Sequence, residues 1–390
     1  MVNPKTKSDC CGCEACGQVC PRRCIDFSAD GEGFLYPKVN LELCVNCGLC
    51  ERVCPVINKA NPVLPRSVFA AKSKLLPERM ASSSGGIFPL LAKNAIARGG
   101  AVFGAAFDEN LNVRHSHAET EEQLRAFSGS KYVQSRIGNS FRLAADFLKT
   151  GRFVLFSGTP CQISGLKKFL GKDYENLLAV EVICHGVPSP KVFSDYLSMY
   201  SDSKPTSVYF RDKSLGWKLF SMRLCDGENH EIISESLRDN PYMQGFLKDL
   251  YLRPSCHACP AREGKSGADI ILGDFWGVGN YYPEFDDDKG VSVVVVNSDK
   301  GEKYFGELDV EKIETSYEKA LRGNPALKVS AKIPKLRGEF WNLYEAEGFS
   351  AVEKIVARMR PTKLQRAIVF VKRRILFLKN AICRIALGGA

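Results

Sequence analysis

The sequence of 390 residues predicts a small α+β module, then an α/β domain with a largely parallel or mixed sheet, and then a C-terminal amphipathic helix. Three observations carry this prediction. Ten of the sixteen cysteines lie between Cys10 and Cys54, among turns and short strand-like runs. From about residue 66 to residue 345, apolar strand-like runs alternate with helical segments, which is typical of parallel sheets. Beyond residue 361, apolar residues recur at gaps of three and four.

The cysteine-rich segment contains one spacing twice, C-x2-C-x2-C-x3-C-P, in "CCGCEACGQVCP" and "CVNCGLCERVCP". A 4Fe–4S cluster needs four thiolates, and in two-cluster ferredoxins the fourth comes from the other motif. The spacing therefore predicts a bacterial-type ferredoxin module over residues 1–60 that relays single electrons. The predicted ligands are Cys10, Cys13, Cys16 and Cys54 for the first cluster, and Cys44, Cys47, Cys50 and Cys20 for the second.

A pair of zinc knuckles is the alternative for this segment, but zinc sites rarely use three evenly spaced cysteines, a fourth and a proline twice over. Cys11 and Cys24 are left over, and we expect neither to be a ligand. The first residues lack the apolar run of a secretory signal, so we expect a cytoplasmic protein with reduced thiols. Residues 57–67 carry turn residues and predict a linker.

Strand–turn–helix units follow the linker. "VFAAKS" predicts a strand, a helix follows from about Gly86 to Arg98, and "AVFGAAF" predicts the next strand. "RFVLFSGTPCQISGLKKFL" and "LLAVEVICHGVPSPKVFSDYL" repeat the layout, and "ADIILGDFWG" predicts a later strand. Because ligands bind at the carboxyl edge of parallel sheets, we expect Cys161 and Cys184 to meet there on neighbouring strands.

Several smaller features stay ambiguous from the residues alone. The helix start in "SSSGG" is either an anion site or a plain N-cap. The pair Cys256-x2-Cys259 fits half a zinc site, half a cluster or two buried thiols. We expect Cys225 and Cys383 to be ordinary thiols. His115 and His117 alternate in "NVRHSHA", and the alternation predicts a solvated strand face.

The motifs "SSSGGIF", "SGSKYVQS", "SGTPCQISGLKKFL", "VICHGVPSPKVF" and "CHACPAREGKSGADIILGDFWG" occur in this order behind the cysteine module. Together they resemble the family of hydrogenase/dehydrogenase beta subunits named for coenzyme F-420, in its form with an N-terminal ferredoxin. The resemblance covers about residues 8–340. It implies an iron–sulfur flavoprotein with a flavin-associated region over 66–150 and an α/β domain over 151–345. The implied FAD-binding residues are Ser84, Gly85, Gly86, Ser130, Lys131, Tyr132, Gly158 and Thr159.

The resemblance also implies a third 4Fe–4S cluster near the flavin. Its ligands would be Cys161, Cys184, Cys256 and Cys259. A zinc ion in the same site and four unligated thiols are the alternatives. His185 beside Cys184 departs from the family pattern and puts the ligation there in question.

A flavin converts between two-electron and one-electron chemistry. The resemblance therefore implies an oxidoreductase that moves electrons between ferredoxin-type clusters and FAD, and on to a two-electron substrate or deazaflavin-like coenzyme. The alternative is an electron-transfer subunit that docks on a partner enzyme and has no substrate site of its own. In either case the expected partner is an electron donor or acceptor protein or coenzyme. Lys131 and His185 are weak catalytic candidates.

The formal net charge of +10 is concentrated at the C-terminus, where residues 361–390 hold seven basic residues and no acidic one. A nucleic-acid footprint would spread basic residues over a folded face, so we expect no nucleic-acid binding. A basic amphipathic helix is typical of peripheral contact with an anionic membrane. A helix packed on a partner subunit or on the chain's own core is the alternative.

Removing residues 361–390 should abolish salt-reversible co-sedimentation with anionic liposomes. Each basic residue near such a surface contributes about 1 kcal/mol of attraction, so loss of the segment removes most of the binding. Neutral liposomes serve as the control, and unchanged sedimentation of the truncated chain would contradict the membrane interpretation.

Overall fold

The computed structural model describes residues 1–360, so the helix predicted over 361–390 lies outside the described residues. The strands are β1 (Ile25–Ala29), β2 (Leu35–Val39), β3 (Ser67–Ser73), β4 (Ala101–Phe107), β5 (Val113–Ala118), β6 (Val154–Gly158), β7 (Leu177–Val182), β8 (Ser207–Asp212), β9 (Ser221–Cys225), β10 (Glu231–Ser236), β11 (Ile270–Asp274), β12 (Ser292–Val296) and β13 (Val310–Thr315). The helices are α1 (Ala15–Val19), α2 (Leu49–Arg52), α3 (Leu76–Ala81), α4 (Ile87–Ala97), α5 (Ser140–Lys149), α6 (Pro160–Leu170), α7 (Pro190–Ser198), α8 (Pro241–Leu247), α9 (Asp299–Gly306), α10 (Tyr317–Gly323), α11 (Arg337–Glu347) and α12 (Ser350–Arg358). Among residues 1–360, no helix combines the length and the apolar character needed to cross a membrane.

An eight-stranded mixed sheet forms the centre of the chain, in the order β13-β3-β12-β11-β7-β6-β4-β5. Strands β3, β4, β6, β7 and β11 run in one direction, and β5, β12 and β13 run in the other. The predicted fold class, an α+β ferredoxin module followed by an α/β domain with a mixed sheet, is confirmed. Strands from both predicted regions of the large domain, 66–150 and 151–345, share this one sheet.

Both faces of the central sheet are covered by helices, which explains why its strands are apolar at consecutive positions. On one face, α5, α6 and α10 pack over residues such as Phe156 and Ala179. On the other face, α4 and α9 pack over the neighbouring positions Leu155 and Leu178. Strand β6 pairs in parallel with β7, so the strands that precede Cys161 and Cys184 are neighbours, as the sequence predicts.

A second core, rich in aromatic side chains, lies beside the central sheet. Strands β8, β9 and β10 form a three-stranded antiparallel sheet. Its apolar side chains pack with α7, α8, α11 and α12, and Tyr196, Tyr242 and Phe340 are fully buried there. Aromatic pairs such as Tyr196–Tyr242, with ring centroids 5.4 Å apart, add directional packing to this core.

The N-terminal module forms a hairpin of β1 and β2 with two short helices, and it packs on the α5 and α6 face of the large domain. Residues 57–66 connect the two without a helix or strand. Arg253, which is fully buried, holds the two parts together. Its guanidinium donates hydrogen bonds to the carbonyl oxygens of Cys10 (2.8 Å) and Leu35 (2.9 Å) and to Oε1 of Gln134 (2.9 Å).

Two side chains of α1 and its N-cap complete the contact by capping a helix of the large domain. The carboxylate of Glu14 accepts hydrogen bonds from the backbone N–H groups of Ile137 and Gly138, both at 3.2 Å. Oε1 of Gln18 accepts from the N–H groups of Phe141 (3.0 Å) and Arg142 (3.2 Å). Phe141 and Arg142 lie in the first turn of α5, where a helix has no internal acceptors, and Ile137 and Gly138 lie in the turn just before it. The module therefore satisfies donors that the large domain leaves open.

Replacing Arg253 with methionine should lower the free energy of unfolding by roughly 3 kcal/mol, because two backbone carbonyls and an amide lose a charged donor in a buried contact. Thermal unfolding under anaerobic conditions measures this as a lower Tm. The exposed Arg238 provides the control, since Arg238→Met should change stability by less than about 0.5 kcal/mol. Equal Tm shifts for the two variants would contradict the role given to Arg253.

Candidate functional site

Two cavities in the N-terminal module separate its cysteines into the two predicted sets. The first cavity, of about 340 Å³, is lined by Cys10, Cys13, Cys16 and Cys54, together with Cys11. The second, of about 350 Å³, is lined by Cys20, Cys44, Cys47 and Cys50, together with Cys24. Each cavity thus draws one of its four predicted thiols from the other motif.

Left-handed turns let the thiols of each motif point inward from so short a loop. Gly48 has φ +73° and begins α2, and Asn46 has φ +55° in the same motif. Glu14 adopts φ +56° at the corresponding turn before α1. Within residues 1–360, no three His, Cys, Asp or Glu side chains converge in the way that a single metal ion requires.

The two cavities differ in how far they are exposed. Cys47 at the second cavity is exposed to solvent. The first cavity faces the large domain, where Cys13 packs against α6 at Gly165. One end of the module therefore faces solvent and the other faces the interior of the protein.

A third set of thiols lies at the carboxyl edge of the central sheet. Burial raises the pKa of Cys184 well above its usual range, and the nearby Cys256, Cys161 and Cys259 raise it further. These four thiols come from three segments of the chain: Cys161 and Cys184 follow the paired strands β6 and β7, and Cys256 contacts the backbone just after Cys184. Two of these thiols have polar contacts: Sγ of Cys256 accepts from the N–H of Val187 at 3.4 Å, and the Thr159 hydroxyl lies 3.3 Å from Sγ of Cys161.

The start of α6 fixes the position of Cys161. Pro160 occupies the first turn of the helix, and Thr159 and Gln162 form a capping box, with the N–H of Thr159 donating to Oε1 of Gln162 at 2.9 Å. Gly158 and Thr159, which the resemblance assigns to FAD, therefore lie directly beside the third thiol set.

Two arginines place positive charge at these thiols. Arg262 is buried and lowers the pKa of Cys184 and Cys259, against the larger opposite effect of burial. Arg253 acts in the same direction on Cys256. Four thiolates concentrate negative charge in a site of low dielectric constant, and the two guanidinium groups offset part of it.

The two turns that the resemblance assigns to FAD lie together, although 47 residues separate them in the chain. The hydroxyl groups of Ser83 and Ser130 are 2.8 Å apart. Arg211 connects the same turns, since its guanidinium donates to the Tyr132 hydroxyl and the Ser83 carbonyl, both at 3.1 Å. The carboxylate of Asp274, at the end of β11, accepts from Arg211 at 2.8 Å.

Glycine is needed at the centre of the first of these turns. A Cβ atom at Gly85 would lie 2.5 Å from the carbonyl oxygen of Ala71 in β3, so the turn lies directly against the sheet. The N–H of Gly85 donates to the Ser292 hydroxyl, and its carbonyl accepts from the N–H of Ser73. The Ser84 carbonyl accepts from the ammonium of Lys213 at 2.8 Å.

The segment from Ser130 to Gln134 runs from the paired turns to the N-terminal module. Gln134 donates to the carbonyl oxygen of Cys11 at 3.3 Å and accepts from Arg253. Four residues of extended chain span at most roughly 14 Å, so the paired turns and the first cavity lie on adjoining parts of the carboxyl edge.

The two weak catalytic candidates are held by other groups. The ammonium of Lys131 donates to the carbonyl oxygens of Ala126 (2.8 Å) and Ser128 (2.9 Å), and burial lowers its pKa to about 7. The ring of His185 contacts the carboxylate of Asp249 and lies edge-on to Phe246. Neither contact gives the side chain a catalytic function.

The prediction that His115 lies on a solvated strand face is wrong. β5 is an edge strand, but residues 133–140 and α5 cover it, and His115 is only 7% exposed. Its ring nitrogens contact the Ser135 hydroxyl at 2.8 Å and the Ser157 carbonyl at 3.0 Å. Burial lowers its pKa to about 4. His117, two residues further on, is half-buried and stacks on Phe103.

Two models of known protein families match parts of this chain. The family model for the C-terminal part of the beta subunits of coenzyme F420 hydrogenase/dehydrogenase matches residues 151–319, and that of the "4Fe-4S dicluster domain" matches residues 9–58. The resemblance that the sequence motifs indicate is confirmed: residues 151–319 form the C-terminal domain of these beta subunits, behind a 4Fe–4S dicluster domain. The chain thus combines an iron–sulfur electron-transfer module with a domain of the F420 hydrogenase/dehydrogenase type.

The individual relatives are distant in sequence from this chain. It is 25% identical over 316 residues to one of the subunits of the F(420)H(2) dehydrogenase of Methanosarcina mazei, a match that covers 76% of this chain and 81% of the relative. It is 24% identical over 338 residues to an uncharacterized protein of Methanocaldococcus jannaschii, covering 76% and 85% of the two chains. A chain of the F420-reducing [NiFe] hydrogenase complex from Methanosarcina barkeri superposes with a TM-score of 0.43 at 16% identity, over 77% of this chain and 93% of the other.

Acidification should destabilise the protein through His115. The pKa of this side chain is about 4 in the folded chain, against an ordinary value of 6.5. Between these values only the unfolded chain takes up the proton, so stability falls as the pH decreases, by about 3 kcal/mol in total. His115→Gln should flatten the Tm between pH 7 and pH 5, and the exposed His230 gives the control variant His230→Gln. The same pH slope in wild type and His115→Gln would contradict this account.

Proposed function

We propose that the chain is an iron–sulfur flavoprotein oxidoreductase that moves electrons between its ferredoxin clusters and FAD, and on to a two-electron substrate or deazaflavin-like coenzyme. The observation that carries the proposal is the placement of four thiols between two other sites. Cys161, Cys184, Cys256 and Cys259 lie together beside the first ferredoxin cavity, on the sheet edge that also holds the paired serine turns.

The proposed cluster ligands of the N-terminal module are the cysteines that line its two cavities. Within the N-terminal module they are Cys10, Cys13, Cys16 and Cys54 in the first cavity and Cys20, Cys44, Cys47 and Cys50 in the second. In the large domain, the third set would bind a further 4Fe–4S cluster. A zinc ion among these four thiols is disfavoured. In the described part of the chain, no three His, Cys, Asp or Glu side chains converge closely enough to bind a single ion.

The residues around the paired turns fit a polar, anionic cofactor such as FAD. Nε of Arg211 is buried and has no hydrogen-bond partner among the described residues. Lys213 lies beside it and donates to the carbonyl oxygens of Arg79, Ser84 and Lys289, and burial lowers its pKa to about 7. We propose that Ser84, Gly85, Gly86, Ser130, Lys131, Tyr132, Gly158 and Thr159 contribute to the FAD site, with Arg211 as an addition. When bound, FAD supplies the conversion between one-electron and two-electron transfer.

Arg211 would then orient the site without moving a proton. Its bidentate pairing with Asp274 fixes the guanidinium plane, and Nε1 of Trp217 donates to the same carboxylate at 2.7 Å. Trp217 is fully buried and stacks on Trp276 at 4.8 Å between ring centroids. This network makes the carboxyl edge rigid at the point where a cofactor ring and its substrate would need fixed positions.

External partners would reach the chain at the second cavity, where Cys47 is exposed. The relative in Methanosarcina mazei is named as one subunit of a dehydrogenase. We propose an electron-transfer protein as the partner of this chain, and peripheral membrane contact through residues 361–390. The alternative, a docking subunit without its own substrate site, predicts no flavin-dependent turnover by the isolated chain with a reduced viologen.

Anaerobic quantitation of iron and flavin tests the proposed function. We expect one FAD and about twelve irons per chain, from three four-iron clusters. Cys161→Ser should remove about four of these irons, because a cubane that lacks one thiolate is lost from the site. Cys225→Ser is the control, since Cys225 is buried in β9 outside the three thiol sets. About eight irons in the wild-type chain, or an unchanged count in Cys161→Ser, would contradict the third cluster.

A further inference from the structure

The first ferredoxin cavity and the third thiol set are in direct contact across one face of α6. Cys161 and Gly165 are four residues apart in this helix and therefore lie on the same side of it. A Cβ atom at Gly165 would lie 3.0 Å from Cβ and 3.1 Å from Sγ of Cys13. The loop of the first cavity thus rests on the helix backbone, with no side chain between them.

Cys11 occupies the position between the two sites. It is 6% exposed and lines the first cavity, together with the four predicted ligands there. Its thiol lies next to the thiols of Cys13 and Cys161; Cys11 and Cys13 belong to one buried cluster, and Cys161 packs against that cluster. The sulfur atom of Cys11 therefore lies next to both the first ferredoxin cavity and the third thiol set.

The backbone on either side of this thiol is fixed. The carbonyl oxygen of Cys11 accepts a hydrogen bond from Nε2 of Gln134 at 3.3 Å. The preceding carbonyl, of Cys10, accepts from Nε of Arg253 at 2.8 Å. Gly12, the following residue, has φ +70°, and a Cβ atom there would lie 2.4 Å from Nε2 of Gln134 and 2.9 Å from Nη1 of Arg253, so a larger residue would displace both side chains. These contacts hold the thiol of Cys11 at Cys161.

We propose that Cys11, which belongs to none of the three ligand sets, is the sulfur contact through which an electron passes between the first ferredoxin cluster and the third cluster. The inference rests on the proposed function, because the third cluster is itself part of that proposal. The first cluster is then the inner member of the module, and the second, beside the exposed Cys47, is the outer one.

The step moves one electron and no atoms. Cys10, Cys13, Cys16 and Cys54 would hold the cluster that gives up the electron, and Cys161, Cys184, Cys256 and Cys259 would hold the cluster that accepts it. No bond forms or breaks, and the thiol of Cys11 keeps its proton throughout. Sulfur suits this position because it is polarizable and fills a buried gap closely. Alanine would leave a gap there, and serine would substitute a smaller, less polarizable atom.

The test uses the cluster-loaded full chain with Cys11→Ser, Cys11→Ala and the control Cys225→Ser. Iron per chain is measured first. A single electron is then injected by laser-flash photoreduction, and freeze-quench electron paramagnetic resonance follows the signal of the third cluster, identified as the one missing in Cys161→Ser. Cys11 variants should keep the wild-type iron content and acquire this signal roughly tenfold more slowly, which corresponds to about 1.4 kcal/mol in the barrier. The rate in Cys225→Ser should equal that of wild type.

Other results overturn the inference in ways that can be told apart. If the third-cluster signal appeared as fast in Cys11→Ala as in wild type, the electron would take another path. The third cluster itself would still be supported. A loss of about four irons in both Cys11 variants would make Cys11 a ligand and not a contact. About eight irons in the wild-type chain would remove the third cluster, and with it both the proposed function in its full form and this step.

Discussion

The guanidinium of Arg253 is the contact on which the arrangement of sites depends. It lies three residues before Cys256 of the third thiol set, and it donates to the carbonyl oxygen of Cys10 at the first ferredoxin cavity. The same group reaches Leu35 in the hairpin of the module and Gln134 in the segment that leads to the paired serine turns. One buried cation therefore fixes the relative positions of three sites. Its hydrogen bonds are strong because the donor is charged and the surroundings exclude water.

The topology of the central sheet places functional residues next to the Arg253 contact. Parallel strands β6, β7 and β11 end at one edge, where they deliver Cys161, Cys184 and Asp274. The N-terminal module covers the α5 and α6 face beside that edge, and Glu14 and Gln18 cap α5 from the module side. A thiol site formed by the large domain is thereby adjacent to a cavity formed by the module. Electron-transfer centres need this kind of fixed, short separation, which a flexible linker alone would not provide.

The sequence predicts those parts of the site that depend on local spacing. The eight module cysteines have one repeated spacing, and Cys161 and Cys184 lie in turns at the ends of strands. Their positions can therefore be predicted from regular local patterns. The contacts of Arg253, Gln18 and Arg211 could not be predicted, because the partners lie between 63 and 243 residues away in the chain. The prediction for His115 fails for a similar reason: alternation along an edge strand indicates a solvated face only when no distant segment covers it. Gly165 in "SGTPCQISGL" must be small because Cys13 of the N-terminal module packs against it, a contact that lies far away in the sequence.

The central claim is that the ferredoxin module is docked so that its first cavity adjoins a third iron site in the large domain. An anomalous iron map from crystals of the cluster-loaded chain tests it most directly. The account predicts three four-iron positions, two in the module and one among Cys161, Cys184, Cys256 and Cys259, with Cys11 between that position and the first cavity. Two iron positions only, or a module displaced from α6 so that Cys11 no longer lies beside Cys161, would contradict it.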